Sequence, residues 1–387
     1  MDDAAVHVLV FPWPRQGQIN PVLHFASTLV DAGVQVSFLH TERNLRRLAQ
    51  APPPGLRLLS IPDGQPDGHP PGFLELLEAM STTGSAAYRT LLSAADAPVT
   101  CVVADSTIPF AFDIADELGI PSLAFVTHST CSYLAILSMP KLVQLGETAF
   151  PADDLVHGVP GMGGFLRRRD LPRGLCCAER GGEDPLVLKI AEVTARTSKA
   201  RALIVNTAAS MERSALAHIA SCTADVFAVG PLHARSRFAA SASLWREDEG
   251  CMAWLDGHDD RSVVYVNLGS LAMASSALLQ EAVGAAEGDI GRVVEWAPQR
   301  DVLRHRAVGC FLAHAGWNST LECAVEGVPM VCWPFFLDQT NNRFVDAVWR
   351  TELDMKDICD RGVVERTVRE VMVSDEIWGW PKPWRNS

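Results

Sequence analysis

The sequence predicts an α/β protein made of two Rossmann-like, doubly wound domains. Three observations carry that expectation. Short apolar runs of buried-strand type alternate with helical patterns along most of the chain, which is the β-α-β rhythm of a parallel sheet. Residues 232–244, rich in Ala, Ser and Arg and without periodicity, read as a linker between an amino-terminal domain, residues 1–231, and a carboxyl-terminal one, residues 245–387. At 387 residues, 48% apolar and 20% charged, the chain can bury two cores.

The elements follow in order. Residues 6–11 are a buried strand broken by Pro12, Trp13 and Pro14; a helix opens at Gln16 and runs to Ala32 with Gly33 as its stop, and residues 34–39 are the next strand. Residues 56–61 are a third strand, 62–71 a loop rich in Pro, Gly and Asp, and helical patterning continues to about Ala95. Residues 100–104 form a fourth strand that delivers Asp105 into the crevice at its carboxyl end, where a helix cap or turn is the alternative reading. A helix to Glu117 leads to the strand 121–126, and the helix 185–199 to the strands 202–207 and 226–229. In the second domain, 251–255 is a short helix and 262–266 a strand. A helix over 275–286 is expected next, then strands at 292–295 and 308–313. The helix after 308–313 runs through Glu326, stopped by Gly327 and Pro329, and 330–333 is again extended. Residues 363–372 make a good helix, which the glycine and two prolines of 376–384 cannot continue.

Composition excludes several classes. A net charge of −13 argues against a nucleic-acid partner, and Arg167, Arg168 and Arg169 are too short a run to reverse it. No apolar run approaches membrane-spanning length and residues 6–11 are too brief for a signal core, so a cytoplasmic protein is expected. The ten cysteines lack C-x-x-C or zinc spacing and read as reduced core residues. The first strand and helix lack the G-x-G-x-x-G of a dinucleotide fold, which weakens an oxidoreductase reading.

The stretch from Trp296 to Gln339 carries the chemistry. Between the strand 308–313 and its helix, the first N–H groups of the helix lack partners and carry the positive end of its dipole, so residues 316–319 form an anion site that suits a diphosphate. His314, the Asn318 amide and the Ser319 hydroxyl could add donors, although Ser319 to Glu322 also reads as a capping box. Trp296 ends the strand 292–295 facing the same crevice, where its indole could stack on a base or lie in the core. Asp338 and Gln339 follow another strand end, and a carboxylate beside an amide suits sugar hydroxyls; a solvated turn is the alternative.

Trp296-Ala297-Pro298-Gln299, His314-Ala315-Gly316-Trp317-Asn318-Ser319, Glu322 and Asp338-Gln339, spaced over 44 residues, resemble the signature box of plant secondary-product UDP-glycosyltransferases. The similarity runs from Phe11-Pro12 to about Glu370. It implies the GT-B fold, two Rossmann-like domains facing across a cleft, and inverting transfer from UDP-glucose, with no metal, to a small lipophilic acceptor. Carried onto this chain, it makes Trp296 the uracil stacker and Ala297 a backbone partner of the uracil edge, and it counts Gln299 with the donor-binding residues. Glu322 would hold the ribose hydroxyls, and His314, Asn318 and Ser319 the diphosphate, with Ser270 on the phosphate side. Trp317, Asp338 and Gln339 would face the sugar. The acceptor would meet loops such as 65–73, 129–143 and 158–164; oligomeric state is not encoded in these motifs.

The chain departs from that family in three places. Only 25 residues separate Ser270 from Trp296, where the family has a helix, a further strand and a loop, so a shortened and weakened carboxyl-terminal domain is expected. The closing helices of the family have no counterpart after residue 374. The family's catalytic histidine position holds Gln18, which cannot take up a proton at neutral pH, and Asp105 would have no imidazole to orient. The rival reading is therefore a nucleotide-sugar or small-ligand binder impaired in turnover.

Overall fold

The computed structural model describes residues 6–48, 52–66, 71–94, 98–148, 153–164, 166–172, 184–222, 225–236, 243–269, 291–334, 337–340, 352–354 and 361–378. The first half is a seven-stranded parallel sheet in the order β3-β2-β1-β4-β5-β6-β7. Its strands are β1 (His7–Phe11), β2 (Gln35–Thr41), β3 (Leu56–Ile61), β4 (Cys101–Asp105), β5 (Ser122–Val126), β6 (Ala202–Val205) and β7 (Val226–Ala228). Helices α1 (Gln16–Asp31), α2 (Glu42–Arg47), α3 (Phe73–Ala79), α4 (Ser85–Ser93), α5 (Pro109–Glu117), α6 (Thr130–Leu145), α7 (Pro185–Ala195), α8 (Arg213–Cys222) and the single turn α9 (Leu232–Arg235) pack around it.

Strand β1 shows why the sheet is buried on both faces. Leu9 and Phe11 enter one apolar cluster with Leu39, Val102 and Val126, while Val8 and Val10 enter the other with Phe38, Val103 and Phe125. Successive side chains of a strand point to opposite faces, so a continuous apolar run is what a doubly covered parallel strand needs. The strand order reverses between β1 and β4, and their carboxyl ends therefore open the crevice in which such sheets bind ligands.

The second half has four parallel strands in the order β11-β10-β9-β8: β8 (Val263–Asn267), β9 (Val308–Ala313), β10 (Met330–Cys332) and β11 (Glu352–Asp354). Helix α10 (Cys251–Asp256) precedes β8; α11 (Gln299–Arg304) and α12 (Trp317–Glu326) flank β9; α13 (Arg361–Val373) packs on β9 and β10. Helix α12 ends as its sequence requires, with Gly327 in the left-handed region at φ 75°.

Three expectations are corrected. Residues 292–295 are not a strand: Val293 is 56% exposed, and the segment is held instead by an ion pair from Arg292 to Asp248 and by the Asp248 N–H donating to the Trp296 carbonyl. The linker begins as the turn α9, whose Leu232 is buried against α1. One further helical turn, α14 (Asp375–Trp378), follows α13 because the Ser374 hydroxyl and carbonyl accept from the Ile377 and Trp378 N–H groups. The expected helix at 275–286, and Ser270 itself, lie outside the described residues.

The halves meet through specific hydrogen bonds. The Trp317 indole donates to the Asn206 carbonyl at 2.8 Å, the Asn318 amide to the Gly17 carbonyl at 2.6 Å, and Arg300 to the His233 carbonyl at 2.9 Å. His24 on α1 and His233 lie beside Arg300; burial first, then that guanidinium, lowers their pKa values to about 4 and about 3.

Two predictions follow from the joint and the short sheet. Both imidazoles are neutral when folded but take up protons near 6.5 when unfolded, so their contribution is complete above that pH and is lost as pH falls from 6.5 toward 4. His24→Gln and His233→Gln should flatten the loss of melting temperature between pH 7 and 5; an unchanged slope in both variants removes these groups from the account. Among the described residues β8 has a neighbour on one side only, with Val266 47% exposed. Its amides should exchange with deuterium before those of β1, β4 and β5, and equal protection would mean this sheet is as firm as the seven-stranded one.

Candidate active site

A cleft of about 1790 Å³ lies between the carboxyl ends of the two sheets. One wall is the loop Trp13–Arg15 and the first turn of α1, with α2, Phe73, Ile136 and Ile190; the other is built from Trp296, Gln299, residues 314–319, Glu322 and Asp338.

The second wall is organised by Gln299, the first residue of α11. Its Nε2 donates to Glu322 Oε2 at 2.7 Å and to Ser319 Oγ at 3.1 Å, while its Oε1 accepts from Asn267 Nδ2 at 2.7 Å. One amide thus fixes β8 and α12 together and sets a carboxylate and a hydroxyl side by side. This overturns the capping-box reading. Gly316 caps α12, Ser319 lies in its first turn, and Glu322 turns toward Gln299 rather than back to the helix end. Burial raises the Glu322 pKa to about 7, opposed by the Gln299 hydrogen bond, and burial likewise raises Asp338 to about 6.

The turn before α12 is narrow for a stated reason. The His314 ring is packed between Gly269, at φ +88°, and Gly316; a Cβ on Gly269 would stand 2.7 Å from the ring, and one on Gly316 closer still. Ala315 takes φ 60°, a left-handed conformation unusual outside glycine. Burial lowers the imidazole to about 4, so His314 stays neutral and brings no charge of its own to an anion. The positive end of α12 remains the anion-attracting feature.

The structure brings Trp296, Ala297, Gln299, His314, Asn318, Ser319, Glu322, Asp338 and Gln339 to one cleft. Gln339 is buried and Asp338 half-buried on the short 3-10 turn Leu337–Thr340. Trp317 differs from expectation. Trp317 is 2% exposed, packed with Ala208, Met211 and Leu321, and its indole N–H is used on the first domain, so the ring is engaged in the joint between the halves. Asn318 likewise spends its amide donor on Gly17.

On the other wall, Gln18 lines the cleft on the first turn of α1. Asp105 does not point into it. The carboxylate is fully buried, with Oδ1 accepting from the Thr107 N–H at 2.9 Å and hydroxyl at 2.7 Å, and Oδ2 from the Thr127 hydroxyl at 3.4 Å. The turn reading holds. Burial raises its pKa to about 6 against those bonds. Sequence reasoning missed Trp245, whose ring stacks on Trp296, and Arg15, Arg43 and Arg47, which line the cleft. Their signal was weak because each lies in a loop or a short helix outside any motif.

Two parallel-sheet domains facing across a cleft, with a helix amino terminus, a carboxylate and a half-buried indole on one wall, define a nucleotide-sugar-dependent glycosyltransferase of GT-B type. A family model described as UDP-glucoronosyl and UDP-glucosyl transferase matches residues 278–377. The chain is 43% identical to the myricetin 3-O-rhamnoside 1,2-glucosyltransferase of Crocosmia x crocosmiiflora, over 97% of this chain and 88% of that one. It is 36% identical to the 7-deoxyloganetic acid glucosyltransferase of Catharanthus roseus, over 95% and 89%. It superposes with a TM-score of 0.81 on a UDP-glucose: anthocyanidin 3-O-glucosyltransferase solved with UDP, 24% identical, over 97% of this chain and 92% of that one. The chain belongs to the plant UDP-glycosyltransferases and is an enzyme of that family. The match to the Crocosmia relative spans 420 positions, more than the 387 residues present, so the relative carries segments that this chain lacks.

A pH prediction tests the Glu322 assignment. If Glu322 meets the donor's ribose, its carboxylate would accept those hydroxyls best when ionised, so UDP-glucose affinity should fall as pH drops through about 7. Glu322→Gln should bind more weakly and lose that dependence. A wild-type affinity that stays flat from pH 8 to 6 contradicts the role.

Proposed function

We propose that the enzyme transfers glucose from UDP-glucose, with inversion and without a metal, to a small lipophilic acceptor, and that carboxylic acids are its better acceptors. The observation that supports the donor half is the Gln299 network, which sets Glu322 and Ser319 in the wall that carries Trp296. In this reading the base stacks on Trp296, Glu322 takes the ribose and the amino end of α12 receives the diphosphate, whose growing charge it stabilises as UDP leaves. Asp338 and Gln339 meet the glucose hydroxyls. Nothing in this scheme requires a membrane, and a cytoplasmic location fits it.

The acceptor half turns on Gln18. In inverting transfer the acceptor oxygen bonds to the anomeric carbon as the bond to the phosphate oxygen breaks and UDP leaves with the electron pair. An alcohol must also lose a proton, and a neutral amide cannot take it. Asp105 is sealed behind Thr107 and Thr127, which leaves it no direct path to the acceptor. A carboxylate arrives already ionised. The acceptor wall favours an anion, since Arg15, Arg43 and Arg47 line it and burial with two neighbouring arginines depresses the Arg15 guanidinium. The similarity to a 7-deoxyloganetic acid glucosyltransferase points the same way.

The test compares matched acid and alcohol acceptors in wild type and Gln18→His. Wild type should glucosylate the acid faster, and Gln18→His should raise the alcohol rate by about 10²- to 10⁴-fold, the range of a restored general base. No gain on the alcohol, in a variant that binds UDP-glucose, defeats the account of Gln18. Binding of UDP-glucose with no turnover of any acid or alcohol would favour the rival, a nucleotide-sugar binder.

A further inference from the structure

Trp245 lies where the chain enters its second half, outside the 44-residue box. Its indole is stacked on that of Trp296, with ring centroids 6.0 Å apart and planes inclined by 21°. The Arg47 guanidinium, from α2 of the first domain, lies over the Trp245 ring at 4.7 Å from its centroid. Backbone bonds fix this placement from three sides. The Trp245 N–H donates to the Ser243 hydroxyl at 3.0 Å, the Leu244 N–H to Gln16 Oε1 at 2.8 Å, and the Asp248 N–H to the Trp296 carbonyl at 2.8 Å.

No base fits between the two indoles. A sandwiched ring needs about 7 Å, two contacts of about 3.5 Å each, and a centroid separation of 6.0 Å already overstates the perpendicular gap. Trp296 therefore has one face engaged and one to offer. An unsupported half-buried indole would have to be ordered when the base arrives, which weakens binding; one already held in plane would not.

We propose that Trp245, backed by Arg47, is a positioning residue for the nucleobase, holding the Trp296 ring in the plane on which the base of the donor stacks. The proposal rests on the donor reading above. It makes donor affinity depend on a cation of the acceptor domain that never touches the nucleotide. Aromatic stacking and exposed cation–π contacts are of a size that calorimetry resolves.

The experiment is titration of the full chain with UDP in wild type, Trp296→Ala, Trp245→Ala, Trp245→Phe, Arg47→Ala and Arg47→Lys. Trp245→Ala should weaken UDP by about three- to tenfold and Arg47→Ala by about two- to fivefold. Trp245→Phe and Arg47→Lys, which keep the ring and the cation, should stay near wild type. Rescue by these variants is the readout that a general loss of folding would not give. UDP affinity in Trp245→Ala equal to wild type, with Trp296→Ala weakened, overturns the proposal alone; tighter binding also overturns it, since Trp245 would then be obstructing the base. Wild-type affinity in Trp296→Ala defeats the donor reading and this proposal with it. If Trp245→Ala does not fold, Arg47→Ala decides, and wild-type affinity there overturns the proposal.

Discussion

The hydrogen bonds of Gln299 are the constraint on which the donor wall depends. A single half-buried amide has two donors and one acceptor oxygen, and here it joins a strand, the start of α11 and the flank of α12. Its Oε1 is taken by Asn267, whose own oxygen accepts from the Gly269 N–H, so the network continues into the glycine turn beneath His314. Removing the amide would take from the Glu322 carboxylate its Gln299 donor and leave the Asn267 amide only its 3.3 Å bond to the Tyr265 hydroxyl, a cost wherever these groups are shielded from water. Local order on this wall is thus cooperative: the Glu322 carboxylate, the amino end of α12 and the glycine turn under His314 are set by the same few bonds.

The acceptor wall is built on a different principle. Several polar groups in and behind it are consumed by the fold: Asp105 closes a turn with Thr107, Arg43 pairs with Asp63 at 2.9 Å, and Glu212 receives the first N–H groups of α6. What remains along the cleft on this side is apolar surface, Gln18 and the arginines. Such a wall selects by shape and charge, while the donor wall selects by directed hydrogen bonds. That division matches an enzyme with one fixed co-substrate and a variable partner.

Much of this was legible in the chain. Strand β1 and its neighbours announce themselves because doubly buried strands are continuous apolar runs, and α12 because glycine ends it. Nine residues of the box come to one cleft because their spacing is that of strand ends and helix starts around one β-α-β unit. The failures are those of isolated short runs. Val293 and Val294 looked like a strand, but ladder pairing is decided by a neighbour that residues 292–295 cannot specify. Ser319 looked like a cap because S-x-x-E is defined by composition, whereas the helix starts where Gly316 and Ala315 allow the turn. The directions of Trp317 and Asp105 depend on Asn206, Thr107 and Thr127; only the last two lie near in sequence or on an adjacent strand.

The clamped imidazole of His314 makes three positions mutationally inseparable. Neither Gly269 nor Gly316 can gain a methyl group while the ring is in place, and Gly269 would in addition leave its preferred side of backbone space. Trimming the ring would leave a void between two bare backbones. Homologous chains should therefore exchange these residues as a set or not at all, and a library randomising any one of them singly should return the parent residue, even though the three are spread over 48 positions of sequence.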